Sequence, residues 1–292
     1  MGLNTLGIIK YYCKPGGTYL PLRGSRFKAI VLRERQLQYR EPLEEKKWFN
    51  ESAAQIIKNR KKISAWLVDD LFVKRYNYRD VWTALRRNLK IPRPMRVLAS
   101  SLRLRENNIP TPQVFAAIRT FRWHLPYCDY LVTAQTSTRQ LYCNQLVTEF
   151  ASGNNYRQFI SGVVAMIVKM HDAGVEHGDL SLRNIFCQKD PQGFYSDWGV
   201  IDLDGCKIYS QGGVPESRRC RELARVISSF LRSIQEETPS IKLNMATVIS
   251  DFVTQYKELS GYNLAGSKLD KRVKYLTERI RKDQISSQKT GN

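Results

Sequence analysis

VEHGDLSLRNIF, residues 175–186, places a carboxylate, Asp179, five residues ahead of an amide, Asn184, in a polar stretch that follows a helical pattern. On an extended loop after a helix, a carboxylate can accept the proton of a substrate hydroxyl. An amide one loop-turn later, facing the same side, can hold a metal ion through its carbonyl oxygen. Eighteen residues beyond Asn184, VIDLDG (200–205) brings Asp202 to the end of an apolar strand pattern, where a second carboxylate can serve a metal. Upstream, FVKRY (72–76) sets Lys74 in a β-rich run. Each residue alone has a plain structural reading: an exposed lysine, a solvated turn aspartate, a hydrogen-bonded histidine. Their order, element types and intervals turn three weak signals into one.

The pattern around these points is mixed. KISAWLVDDLFVKRY reads as two strands, Ile63 to Val68 and Leu71 to Tyr76, around a tight turn at Asp69 and Asp70. Residues 78–107 repeat apolar positions at helical spacing, and the prolines of IPRPM divide them into two helices. NNIPTPQVFAAIRTF reads as a turn feeding a strand, and QLYCNQLVTEF as a further strand ending at ASGNN, a polar segment suited to a boundary near residue 151. Residues 155–171 carry Phe159, Ile160, Val163, Met166, Ile167 and Met170 on one helical face, with Asn154 or Asn155 as cap and Gly174 at the exit. NIFCQ and GVIDLDG flank the turn DPQG as a second hairpin, and the pattern beyond residue 216 is helical again. The expected fold is α+β: residues 1–50 as an N-terminal segment of one or two strands plus an irregular extension, 51–150 as a β-rich first lobe, and 151–292 as a mainly helical second lobe.

Phosphoryl transfer asks little covalent chemistry of a protein, so a base, metal ligands and a lysine on the nucleotide phosphates nearly complete the requirement. HGDLSLRNIF followed by IDLDG resembles the eukaryotic-like kinase superfamily, and within it the bacterial lipopolysaccharide core kinases that phosphorylate Kdo or heptose. That family shows an HGDL-x-x-x-N loop, an ID-x-D strand end, a V-K-R-like lysine strand and a G-I-P-T-P-like turn, matched here by NNIPTP over roughly residues 55–235. The resemblance implies a two-lobed protein-kinase-like fold using ATP and Mg2+. It implies Lys74 on the nucleotide phosphates, Asp179 as catalytic base, Asn184 and Asp202 as metal ligands, and His177 as the residue that orders the loop. Glu149 and Phe150 fall where the hinge backbone would meet adenine.

The match has departures. NRKKI stands where a glycine-rich phosphate loop would lie, so Arg60, Lys61 and Lys62 are expected to supplement backbone amides. The helix after Lys74 offers no well-placed acid. Only DGCKIYSQGGVPESRRC separates Asp202 from the next helix, without an A-P-E motif, which leaves little room to dock a peptide and favours a sugar, lipid or other small acceptor.

Composition frames these readings. The formal net charge is +20, and residues 1–150 hold 27 of the 47 basic side chains against 11 of the 27 acids. Such a field attracts phosphate-bearing partners, whether nucleotide, nucleic acid or anionic membrane. Arg75, Arg79, Arg86, Arg87, Lys90, Arg93, Arg96, Arg103 and Arg105 are opposed only by Asp80, an imbalance that suggests an anionic membrane surface. Six widely spaced cysteines without a C-x-x-C pair suit reduced thiols of the cytosol, and no run of about 18 apolar residues offers a membrane span. The expected partners are lipopolysaccharide core or another lipid-linked sugar acceptor and an anionic leaflet, with no specific nucleic acid. The expected location is cytoplasmic, peripheral on the cytoplasmic face of the bacterial inner membrane. Two other readings share these residues: a small-molecule kinase of the aminoglycoside or choline type, whose cationic substrates want acids, and a pseudokinase scaffold for anionic lipid or nucleic acid.

Overall fold

The computed structural model describes residues 3–35, 55–78, 80–135, 140–210, 213–237, 244–262 and, nearer the C-terminus, 264, 269, 271–275 and 278. The chain divides into two compact units, residues 1–103 with 112–137 and residues 104–111 with 138–292.

Unit 1 opens on a helix the periodicity did not reveal, α1 (Thr5–Tyr12), whose start is capped by the Asn4 side chain accepting from Gly7 N at 2.9 Å. Eight residues are too few for a helical repeat to stand out. Seven strands follow: β1 (Tyr19–Arg23), β2 (Phe27–Leu32), β3 (Gln55–Arg60), β4 (Ile63–Val68), β5 (Leu71–Asn77), β6 (Val114–Arg122) and β7 (Leu125–Ala134). They form one antiparallel sheet in the order β1-β2-β6-β7-β5-β4-β3. The strands expected in the segment before residue 50 are β1 and β2, and β2 bonds to β6, which joins both to the sheet. The continuation of that segment expected over residues 36–50 lies outside the described residues.

Residue type sorts strands by position. Central β6 starts with VFAAI and is buried along that run, whereas edge strand β3, QIIKNR, is exposed at every residue and ends in Arg60. The other edge, β1, accommodates Pro21, which has no N–H to give a ladder. The Asp69–Asp70 turn closes β4 onto β5, with Asp69 at φ 53°. Helices α2 (Val81–Asn88) and α3 (Arg93–Glu106) fall on either side of Pro92, as the prolines predict.

Unit 2 takes the last turn of α3, which stops at Asn108 in the left-handed region (φ 54°). The boundary expected near 151 instead lies at 137/138. Strand β7 ends the large sheet at Ala134, and the run from 140 enters unit 2 at once: only β8 (Leu141–Tyr142) is extended, and α4 (Val147–Phe150) is helical. Helix α5 (Gly153–Asp172) follows, its N-cap being Ser152 rather than either asparagine, both of which lie in the first turn. Strand β9 (Val175–Glu176) leads to the loop of interest. The expected hairpin is β10 (Ile185–Lys189) with β11 (Tyr195–Val200), and β12 (Lys207–Ile208) pairs with β9. Helix α7 (Met245–Ser260) packs with α5 and with α6 (Glu216–Glu237). The core is aromatic: Phe159 stacks between Phe150 at 4.7 Å and Phe230 at 4.6 Å. Gly162 is what lets Trp198 lie on α5, since a Cβ there would sit 2.1 Å from the indole nitrogen.

Candidate active site

In unit 2, three segments meet at Ile201. The His177 imidazole contacts the Ile201 carbonyl at 2.9 Å, and Ile201 N donates to the Asn184 carbonyl at 3.0 Å. A carbonyl only accepts, so Nε2 of His177 carries the proton, and Nδ1 is left to accept from Asp179 N at 3.4 Å. The histidine thus ties the loop bearing Asp179 to the strand end bearing Asp202. Asn184 ties it again: its Nδ2 donates to the Asp179 carbonyl at 2.9 Å. This bond fixes the amide orientation and leaves Oδ1 as the group presented elsewhere.

Asp179 itself is solvent-facing, with its side chain 60 % exposed and its carboxylate 3.6 Å from Arg183. Asp202 is also exposed and adopts φ 58°, ψ 56°, a left-handed conformation uncommon for a residue with a Cβ. The loop carrying Asp179 lies tight against the turn beyond Asp202. Gly178 has φ 86°, and a Cβ on it would stand 2.5 Å from the Gly205 carbonyl oxygen, so glycine is required twice over. From behind, the Pro110 carbonyl accepts from Val200 N at 3.0 Å, so the NNIPTP turn braces the strand that ends at Asp202.

Sequence reasoning missed the support beneath the loop. Glu222 of α6 is fully buried and accepts from His177 N at 2.9 Å and Gly178 N at 2.7 Å. His171 lies 3.2 Å from the same carboxylate through Nε2, and its Nδ1 is 2.8 Å from Tyr256 OH. Arg219 donates to Tyr256 OH and to Asp172, each at 3.0 Å, and to the Val214 carbonyl at 2.7 Å. Burial pushes the His171 imidazole below its ordinary pKa. Burial alone would raise the Glu222 carboxyl, but the hydrogen bonds from His171 and the His177 backbone hold it below the usual value. The proton order is then continuous: Arg219 to Tyr256, Tyr256 to neutral His171, His171 to ionised Glu222. The available signal was Arg219 and Glu222 in helical register with the apolar positions Leu223, Val226 and Phe230, charges on a face that otherwise reads as core.

The other expected residues stand elsewhere. Lys74 belongs to unit 1, on β5 between Ala65 and Leu131, with Nζ 5.8 Å from the centre of the Tyr76 ring. Arg60 and Lys61 mark the exposed end of the β3–β4 hairpin, also in unit 1. Glu149 and Phe150 are in α4, not on an extended hinge. Phe150 N donates to the Leu146 carbonyl at 2.9 Å, and the Phe150 ring is core. The Glu149 carboxylate takes Tyr195 OH and Lys189, at 2.9 Å for the latter, and these bonds lower its pKa. The Glu149 carbonyl accepts from Ser152 N at 3.3 Å, so the Phe150 amide and the Glu149 carbonyl are both engaged within the chain.

The profile of the lipopolysaccharide kinase (Kdo/WaaP) family matches residues 44–249. No curated protein sequence matches the chain. Among solved structures, one titled "WaaP in complex with acyl carrier protein" superimposes with TM-score 0.58 at 16% identity, covering 86% of this chain and 98% of that one. A second, "Glucosamine kinase in complex with glucosamine, ADP and inorganic phosphate", has TM-score 0.47 at 11% identity, covering 96% and 98%. The chain belongs to the lipopolysaccharide kinase (Kdo/WaaP) family and has its kinase-like α+β fold. It is a phosphotransferase with an alcohol group of a sugar as acceptor.

Proposed function

From that membership, we propose that this kinase transfers the γ-phosphoryl group of ATP to a hydroxyl of a lipopolysaccharide inner-core sugar, Kdo or heptose. The observation that carries the reading is the convergence at Ile201, which ties the loop of Asp179, Asn184 and the strand end of Asp202 through three hydrogen bonds. Asp179 accepts the acceptor hydroxyl's proton. The hydroxyl oxygen forms the new bond to phosphorus as the bond to the β-phosphate oxygen breaks and ADP leaves. Exposure of Asp179 suits contact with an incoming hydroxyl. The amide oxygen of Asn184 and the carboxylate of Asp202 are hard oxygen donors, which fit Mg2+ and would hold it. That ion would neutralise charge on the phosphates. In unit 1, Lys74 offers its ammonium to nucleotide phosphate, and Arg60 and Lys61 add positive charge from their hairpin.

The acceptor is lipid-linked, and α2 suits an anionic leaflet. Trp82 and Leu89, 78% and 92% exposed, recur with Leu85 at helical spacing beside the cationic Arg86 and Lys90. An amphipathic helix of this composition lies in a membrane interface, so association is peripheral, on the cytoplasmic face of the inner membrane. Among the described residues no helix is long and apolar enough to cross a bilayer.

Mass spectrometry of lipopolysaccharide from cells with and without the gene tests the reading. Deletion is expected to remove one phosphate from a core sugar, wild-type gene to restore it, and the Asp179→Ala gene to fail. An unchanged phosphate pattern after deletion refutes the proposed acceptor.

A further inference from the structure

Unit 1 holds a half-open cavity of about 650 Å³, in the size range of small-molecule sites, whose lining is cationic. Arg86, Lys90, Arg93, Arg96 and Arg119 contribute five positive charges, and Asp129 is the acid in the lining. That acid is already committed: Asp129 and Arg119, both buried, form two bonds at 2.9 and 3.2 Å, and Tyr78 OH donates to Asp129 as well. Asp80, near Arg86, is engaged by the Thr83 backbone and hydroxyl at 2.6 and 2.9 Å and is not in the lining. Four positive charges therefore surround the cavity without a carboxylate of its own to balance them. Arg96 is half-buried and stands in this lining beside Arg93.

We propose that this cavity binds a small ligand bearing two or more phosphate groups. Guanidinium forks match phosphate oxygens in pairs, and two dianionic phosphates balance four cations. The lining supplies one aliphatic side chain, Ile91, so its recognition is of charge rather than of an apolar body. The phosphates could be carried by a sugar or by a lipid headgroup. The concave wall favours a ligand that enters over one that lies across a surface. The site uses none of Asp179, Asn184 or Asp202, and its occupancy is measurable whether or not the acceptor proposed above is the right one.

The test is calorimetric titration of inorganic pyrophosphate into the nucleotide-free full-length protein at low salt. Saturable one-to-one binding is expected. It should weaken at least tenfold, about 1.4 kcal/mol, in the double variant Arg93→Gln/Arg96→Gln. The exposed pair Arg86→Gln/Lys90→Gln, which is not tied into the core, should weaken it likewise and serves if the first variant does not fold. Lys10→Gln/Lys14→Gln removes the same charge elsewhere and should change affinity less than twofold, as should Lys74→Ala. Displacement by fructose 1,6-bisphosphate identifies a sugar-borne ligand, and displacement by cardiolipin vesicles, whose headgroup carries two phosphates, but not by phosphatidylglycerol vesicles, which carry one, identifies a headgroup. Absence of saturable binding overturns the proposal. So does equal weakening in the Lys10/Lys14 control, or loss in Lys74→Ala with retention in both cavity variants.

Discussion

Replacing Glu222 by glutamine changes little in volume and much in bonding, which makes it a sharp probe of how the loop is held. One carboxylate oxygen accepts from Gly178 N, and the other from both His177 N and His171 Nε2. If the new NH2 faces His177 and His171, two buried donors lose their acceptor, so it will face Gly178. One buried N–H is then orphaned, at roughly 1–3 kcal/mol, and two charged hydrogen bonds become neutral, at roughly 1 kcal/mol each. The sum is about 3–5 kcal/mol, a large share of the roughly 5–15 kcal/mol that stabilises a typical domain. In a chain of this size that lowers Tm by roughly 6–15 °C. Because Gly178 adjoins Asp179, kcat should fall at least about tenfold in the folded fraction at saturating MgATP, while nucleotide affinity changes little. Thermal unfolding with single-turnover kinetics measures both. Acid should act through the same groups. The depressed pKa of His171 gives stability that is full above about pH 6.5 and is lost as pH falls through the folded value. The depressed Glu222 adds a further loss below about pH 4.3. A Glu222→Gln protein with Tm within about 2 °C and kcat within threefold of wild type would refute the account.

Gly178→Ala should cost at least about 1–2 kcal/mol in left-handed strain alone, and its Cβ must push the loop off Gly205, so turnover should fall about a hundredfold with retained fold by circular dichroism. Lys74→Ala is expected to abolish most of the rise in Tm that MgATP gives, with the apo Tm nearly unchanged; an undiminished rise would make Lys74 a bystander. Trp82→Ala/Leu89→Gln should reduce sedimentation with anionic vesicles several-fold without altering phosphorylation of a soluble acceptor, and undiminished sedimentation would remove α2 from the membrane contact.

The sequence by itself determined the parts whose signal is local. The Asp179–Asn184 spacing, the strand ending at Asp202, the Asp69–Asp70 hairpin and the proline-divided helices are written in adjacent residues, where turn chemistry and periodicity act directly. It misread QLYCNQLVTEF, because a short apolar run suits strand or helix alike and packing decides: Phe150 finds Phe159 and Tyr195, and the run turns helical after Tyr142. It expected one or two strands before residue 50 but not where they pair, since pairing of β2 with β6 joins segments nearly ninety residues apart and no local pattern announces it. Tertiary structure alone decided the two charge clusters that matter most. Arg119 and Asp129 meet across neighbouring strands, and Arg86, Lys90, Arg93 and Arg96 gather around one half-open cavity. Glu222 reaches back 45 residues to the His177 amide. Burial makes such partners obligatory, because a desolvated charge must find its complement wherever the chain's path brings one, and that path is a property of the whole fold.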